Sequence, residues 1–157
     1  MRSSTLFTFI CLLAVVGCAS TDDSGYAAAA APSEDALAMT WEDDALEWGP
    51  CPPIFEEAGC TVTVLHGDPA APNADIFFRV PEGYEIPWHT HTSAERIVAV
   101  SGEMEVTYAD QAPVTLVPGT YAYGPARKPH EAYCSEGPCV LFIAFEQPID
   151  AFAVPAP

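Results

Sequence analysis

Residues 83–102 read GYEIPWHTHTSAERIVAVSG. His89 and His91 are two apart, Glu95 follows four later, and Gly83 and Gly102 bound the segment. Side chains at i and i+2 of a β-strand leave the same face. A strand here therefore presents two imidazoles side by side, with a carboxylate just beyond to close on the same point. Two histidines on one strand can equally share a solvated face, so this stretch needs a partner before it reads as a metal grip.

The partner lies at residues 118–130, PGTYAYGPARKPH. Together the two segments resemble the paired motifs of the cupin superfamily. Gly83, His89, His91, Glu95 and Gly102 fill every fixed position of the first motif, and Gly119, Pro125 and His130 match the second. Arg127 stands where a glycine is usual and Cys134 where an asparagine is usual. The likeness spans roughly residues 62–145. It implies an all-β fold, a double-stranded β-helix barrel of jelly-roll type. It also implies one divalent ion held by His89, His91, Glu95 and His130. Imidazole and carboxylate donors suit Fe, Mn, Ni, Cu or Zn better than Ca or Mg, and they do not choose among the five. The three histidines bind only when neutral, so metal affinity is expected to weaken as pH falls through the imidazole range. His66, ending an apparent strand beside Gly67-Asp68, reads as a turn residue or a neighbour of the site rather than a ligand.

The strand pattern agrees with a barrel. Short β-rich runs are expected at 61–65, 75–80, 88–92, 95–100, 104–108, 114–117, 121–123, 130–134 and 140–145. Gly and Pro turns divide them, and Ser101-Gly102-Glu103 reads as a hairpin turn. Many short strands at near-regular spacing indicate a sandwich or barrel. Residues 61–150 form the expected barrel, with 41–60 as an arm laid over it through Trp41, Trp48 and Phe55. Residues 151–157 form an apolar tail that fits a homodimer contact.

The start of the chain reads as an address. Residues 1–17 carry Arg2, an apolar run from Leu6 to Val16, and Gly17 before Cys18. A short positive start, an apolar core and a small-residue exit describe a secretory signal. Val15-Val16-Gly17-Cys18 resembles a bacterial lipobox, which implies lipidation of Cys18, with plain secretion as the alternative. Ala19 after that cysteine suggests the periplasmic face of the outer membrane in a Gram-negative host. Residues 18–40 read as a flexible linker. Export suits the cysteines, because Cys51, Cys60, Cys134 and Cys139 form an even set in an oxidising compartment. Three connectivities are open; Cys51–Cys60 and Cys134–Cys139 are favoured, since each pair brackets a short turn-rich loop. Cys134 also shares strand parity with His130, so a thiol beside the metal is the competing expectation.

Charge removes one class of partner. Lys and Arg number 5 against 22 Asp and Glu, for a net charge of −17. Nucleic-acid binding relies on cationic side chains displacing counterions, and this chain has few of them against its many acids. A small organic molecule is the expected ligand, and the membrane enters only through the lipid. Trp88, Tyr123 and Arg127 are the substrate-contact candidates, with Tyr121, Tyr133, Phe78 and Phe142 as further aromatic walls. Two functions fit. One is an enzyme, an oxidoreductase of dioxygenase type; the other is a binding or sensing module that holds metal or ligand without turnover. Fold alone does not separate them.

Overall fold

The structure is a computed structural model, and it describes residues 35–55 and 59–157. The signal segment, Cys18 and most of the linker lie outside the described residues. The compact unit is Ala38–Pro157. Its strands are β1 (Gly49–Pro50), β2 (Thr61–His66), β3 (Asp75–Val80), β4 (Glu85–Thr90), β5 (Glu95–Tyr108), β6 (Val114–Leu116), β7 (Tyr121–Gly124), β8 (His130–Phe145) and β9 (Phe152–Ala153). One 3₁₀ turn, Pro53–Phe55, is the only helical element among the described residues. Every pairing is antiparallel, in the order β1-β2-β3-β8-β4-β9, with β5 joining β8 to β6 and β7. The sheet curls as a jelly-roll barrel does, around a single apolar interior.

Two long strands organise it. β5 has 14 residues and β8 has 16, and they pair along nearly their whole length. Neither is interrupted where the sequence suggests turns. The expected hairpin at Ser101-Gly102-Glu103 is instead a break in register, opposite the Ser135–Pro138 excursion of β8. Both strands switch the face they bury there. In β5 the buried positions are Glu95, Ile97 and Ala99 before the break, and Met104, Val106 and Tyr108 after it. In β8 they are His130 and Cys134 before, and Cys139, Leu141, Ile143 and Phe145 after, with Val140 buried as well on the opposite parity. A bulge inserts residues on one strand, bends it and resets the alternation. That is how one continuous strand serves both halves of a barrel.

The disulfides join Cys51 to Cys60 and Cys134 to Cys139, with Cα atoms 5.6 and 5.9 Å apart. The second ties the two ends of the β8 excursion, both fully buried, so Cys134 is no thiol beside the histidines. Loop-closure entropy for so short a ring is about 2 kcal/mol. The double variant Cys134→Ser/Cys139→Ser is expected to lose about that much in urea unfolding, and no loss would show that packing alone holds the bend.

The arm and the tail both contribute strands. β1 extends the sheet on β2, and β9 pairs with β4 through Thr90 and His89. Trp48 lies under the Arg79 guanidinium at 3.9 Å. Phe55 is buried edge-on against Phe78 and His89, at centroid distances of 6.2 and 5.0 Å. Residues expected to lie over the barrel thus help to build its interior wall.

Candidate metal centre

His89 is near the end of β4, His91 lies just past it, and His130 opens β8. His89 and His130 are cross-strand partners, and His130 is paired on its other side with Tyr108 at the end of β5. One row across three strands therefore presents His89, His130 and Tyr108 to the same interior. Glu95 opens β5 on the other side of a short bend after His91. Ser93 fixes that bend. Its buried hydroxyl donates to the Ala94 carbonyl and accepts from the Glu146 and Gln147 amides, at 2.6, 2.8 and 3.1 Å.

The side chains converge. One ligand atom from each of His89, His91 and His130 falls within a span of 4.8 Å. Glu95 Oε1 is 3.4 Å from His91 Nε2, and Oε2 is 3.4 Å from His130 Nε2. All four residues are buried. Each imidazole is also oriented from behind. His89 Nδ1 donates to the Pro87 carbonyl at 2.7 Å, His130 Nδ1 to the Lys128 carbonyl at 3.0 Å, and His91 Nδ1 to the Asp150 carbonyl. A carbonyl oxygen only accepts, so each Nδ1 carries the proton and each Nε2 keeps its lone pair. That arrangement behind the ligating nitrogen is the one metal-binding histidines show.

Electrostatics agree with neutral imidazoles. Burial pushes the His89 pKa down to about 3, aided by the neighbouring His130 and His91. Burial also lowers His91 and His130. Glu95 moves the other way, raised by burial to about 7 despite the pull of His130. The Glu95–histidine contacts are therefore contacts among poorly solvated polar groups rather than formed ion pairs. Three inward lone pairs beside a carboxylate make an expensive interior when bare, and a donor set that suits a divalent metal.

The histidine–glutamate set opens on a cavity of about 70 Å³ at the barrel's core. The substrate-contact candidates do not line it. Trp88 neighbours His89 on β4, so alternation turns it to the outer face, where it is half-buried. Tyr123 sits beside Gly124, which pairs with Glu95; the glycine faces in and Tyr123 faces solvent. Arg127 is exposed, in a left-handed turn with φ of 61° that answers to the usual glycine of the motif. Of the further aromatics, Phe78 lines the cavity, while Tyr121 and Tyr133 are exposed and Phe142 packs against Phe77 on the other face. His66 is exposed at the end of β2, away from the cavity lining.

Three contributors were not assigned to the site from the sequence. Phe55 and Tyr108 line the cavity, and Asp150 orients His91 through its carbonyl while its Oδ1 accepts the Thr92 amide at 2.7 Å. The Tyr108 ring lies 5.2 Å from that of His130, and its buried hydroxyl makes no hydrogen bond to another protein atom. Gly124 makes room for this end of the site: a Cβ there would stand 3.0 Å from Glu95 Oε2 and 3.1 Å from the Tyr108 hydroxyl. No motif spacing marks Tyr108, because its inward direction depends on the register break upstream.

Comparison with known proteins agrees with this architecture. Residues 76–145 match the family model for the cupin domain, Cupin_2. No curated protein matches the chain. Among solved structures, the DMSP lyase DddQ from Ruegeria pomeroyi DSS-3 is similar, with TM-score 0.60 and 18% identity over 69% of this chain and 60% of that one. KdgF from Halomonas sp. has TM-score 0.55 and 19% identity over 66% of this chain and 89% of that one. Oxalate decarboxylase from Bacillus subtilis has TM-score 0.55 and 19% identity over 62% of this chain and 28% of that one. The alignment spans only about 60% of the length of the DMSP lyase. At such identities the likeness is one of fold. The matched segment and the shared barrel make this chain similar to cupin-domain proteins over residues 76–145 and in fold.

Proposed function

We propose that this chain is an exported cupin holding one divalent transition metal on His89, His91, Glu95 and His130, and acting there on a small organic molecule as a dioxygenase-like oxidoreductase. The observation that carries the reading is the locking of three Nδ1–H groups onto backbone carbonyls, which commits three Nε2 lone pairs to one buried point beside a carboxylate. A bound ion of this kind supplies Lewis acidity and open positions for a ligand. The chain's own residues do the rest. The hydrocarbon walls exclude water, Glu95 supplies negative charge, and Tyr108 presents a hydroxyl at the polar end. Export and anchoring through Cys18 rest on the leader and on the cysteine pairing, which suits an oxidising compartment.

The test is to purify the mature protein with its native metal, measure metal content, and follow oxygen uptake against phenolic and thiol substrates. Uptake that disappears in His91→Ala supports catalysis. Stoichiometric metal with no turnover across the panel leaves a binding or sensing module in its place.

Proton competition gives a sharper expectation. With Glu95 raised to about 7 and all three imidazoles lowered from their ordinary value, the first proton that a metal must displace as pH falls below 7 sits on Glu95. Apparent affinity is expected to fall by about tenfold per pH unit below 7, one proton per ion. Glu95→Gln should bind more weakly and lose that slope. A competition titration showing the same slope in the variant would return the proton to the histidines. Linkage for the metal-free protein has two signs. The raised Glu95 contributes stability that is present below 4.5 and lost as pH rises through about 7. The lowered His89 contributes stability that is present above 6.5 and lost as pH falls towards 3.

A further inference from the structure

Away from the histidines, the cavity wall is hydrocarbon: Phe55, Phe78, Ile86, Met104, Leu141 and Ile143 form much of it, all buried. Among the described residues no lysine or arginine lines it. The chain has few to offer. Of its five basic residues, Arg2 lies outside the described residues and the other four are placed elsewhere. Arg79 stacks on Trp48 and donates to Thr61 Oγ1 at 3.2 Å. Arg96 pairs with Glu146, and Lys128 Nζ lies 3.8 Å from Asp110. Arg127 is exposed, its amide donating to the His91 carbonyl from outside the cavity lining. The ionisable acids of the lining are Glu95 and Asp150.

A second anionic group on a ligand would therefore enter hydrocarbon with no cation to meet it, in the field of a strongly acidic chain. One positive element is available, a bound divalent ion partly offset by Glu95. The remaining directed donor is the Tyr108 hydroxyl, buried and without a protein partner. A phenol hidden from water and left unpaired is costly unless a ligand oxygen meets it.

We propose that the cavity takes a molecule with one polar head and a hydrocarbon body. The head, neutral or singly negative, sits at the histidine–glutamate end beside the Tyr108 hydroxyl, and the body lies along the Phe55–Ile143 wall. Dicarboxylates, phosphate esters and sugar acids do not fit such a site. This assignment of the substrate class rests on the metal-centre reading.

Three simple carboxylates test it on the cobalt-loaded mature protein, with cobalt content measured by elemental analysis and binding followed by the visible absorption of the ion. Acetate carries the head without a body, hexanoate adds four carbons, and adipate is hexanoate with a second carboxylate in place of the methyl. Each buried methylene adds about fourfold, so hexanoate is expected to bind at least about tenfold more tightly than acetate. Adipate should bind at least about tenfold more weakly than hexanoate, because its far carboxylate is stranded. Tyr108→Phe should weaken acetate and hexanoate by the same factor, about tenfold, since the hydroxyl meets the head that both share. Equal affinity for acetate and hexanoate, or adipate matching hexanoate, overturns the proposal. If the protein takes up no cobalt, it is the metal-centre reading that fails. The body is then decided separately by calorimetry of the metal-free chain with ethanol and hexan-1-ol, where equal affinities overturn the proposal and a graded rise supports it.

Discussion

Replacing His91 by alanine is expected to cost at least about 100-fold in metal affinity while barely shifting the unfolding of the metal-free protein. The first half follows from the loss of one of three convergent nitrogens, which also leaves Glu95 Oε1 without its neighbour at 3.4 Å. Changes behind a metal ligand already cost about 10–100-fold, so removing the ligand itself should cost no less. The second half follows from the cost of the bare site. Three buried imidazoles with depressed pKa values crowd around a carboxylate that burial holds near 7. Deleting one of them relieves desolvation and repulsion as it removes packing. Metal-induced stabilisation, by contrast, should shrink by about 2.7 kcal/mol for a 100-fold loss of affinity at saturating metal. Thermal unfolding with and without added ion measures both halves at once. His66→Ala is the control, since His66 is exposed and outside the cavity lining. Metal binding by His91→Ala within threefold of the native chain would remove His91 from the ligand set.

The second large effect lies in the scaffold. Gly102→Ala is expected to destabilise the barrel by more than about 3 kcal/mol, against about 1 kcal/mol for Gly83→Ala. Both glycines have positive φ, 76° and 79°, so both substitutions meet the same backbone penalty. They differ in what surrounds them. A Cβ at Gly102 would lie 2.5 Å from the Glu136 carbonyl oxygen, 2.7 Å from that of Pro138 and 2.9 Å from the Cys139 Cα, whereas one at Gly83 meets nothing within 4 Å. The obstacles at Gly102 are backbone atoms of the β8 excursion, held by the Cys134–Cys139 bridge, and they have little freedom to retreat. Urea unfolding of the two variants separates the effects. Equal losses would mean that the register break is soft and does not depend on close approach of the two long strands.

Both effects converge on one structural device. Gly102 lets β5 pass close to the β8 excursion, the break there resets which residues face inward, and the reset carries Tyr108 to the side of His130. A variant that disturbs the break is therefore also expected to disturb the polar end of the cavity, although Gly102 itself lies outside its lining.

Much of this was legible without coordinates. The spacing of His89, His91 and Glu95, with His130 in a second segment, marked four residues that the fold brings to one buried point. The Gly- and Pro-punctuated β runs indicated a barrel, and the short cysteine-bracketed loops indicated the two bridges. Such features are local, or depend only on alternation within one short strand, which a sequence carries directly. The outward direction of Trp88 was available on the same grounds, because it adjoins His89 on an unbroken strand.

What the chain alone could not settle was direction beyond the break. Counting by twos from Glu95 puts the odd-numbered residues of β5 inside, and that count would turn Tyr108 out; the register shift at 101–103 puts it in. The walls of the cavity were likewise a tertiary matter. Phe55 from the arm and Asp150 from the entry to the tail reach the site because β1 and β9 complete the sheet, while aromatic and basic residues nearer to the motifs in sequence face solvent. Alternation is a property of a strand and can be read locally, but closure of the barrel is a property of strands meeting. That closure decided which side chains the histidines share their interior with.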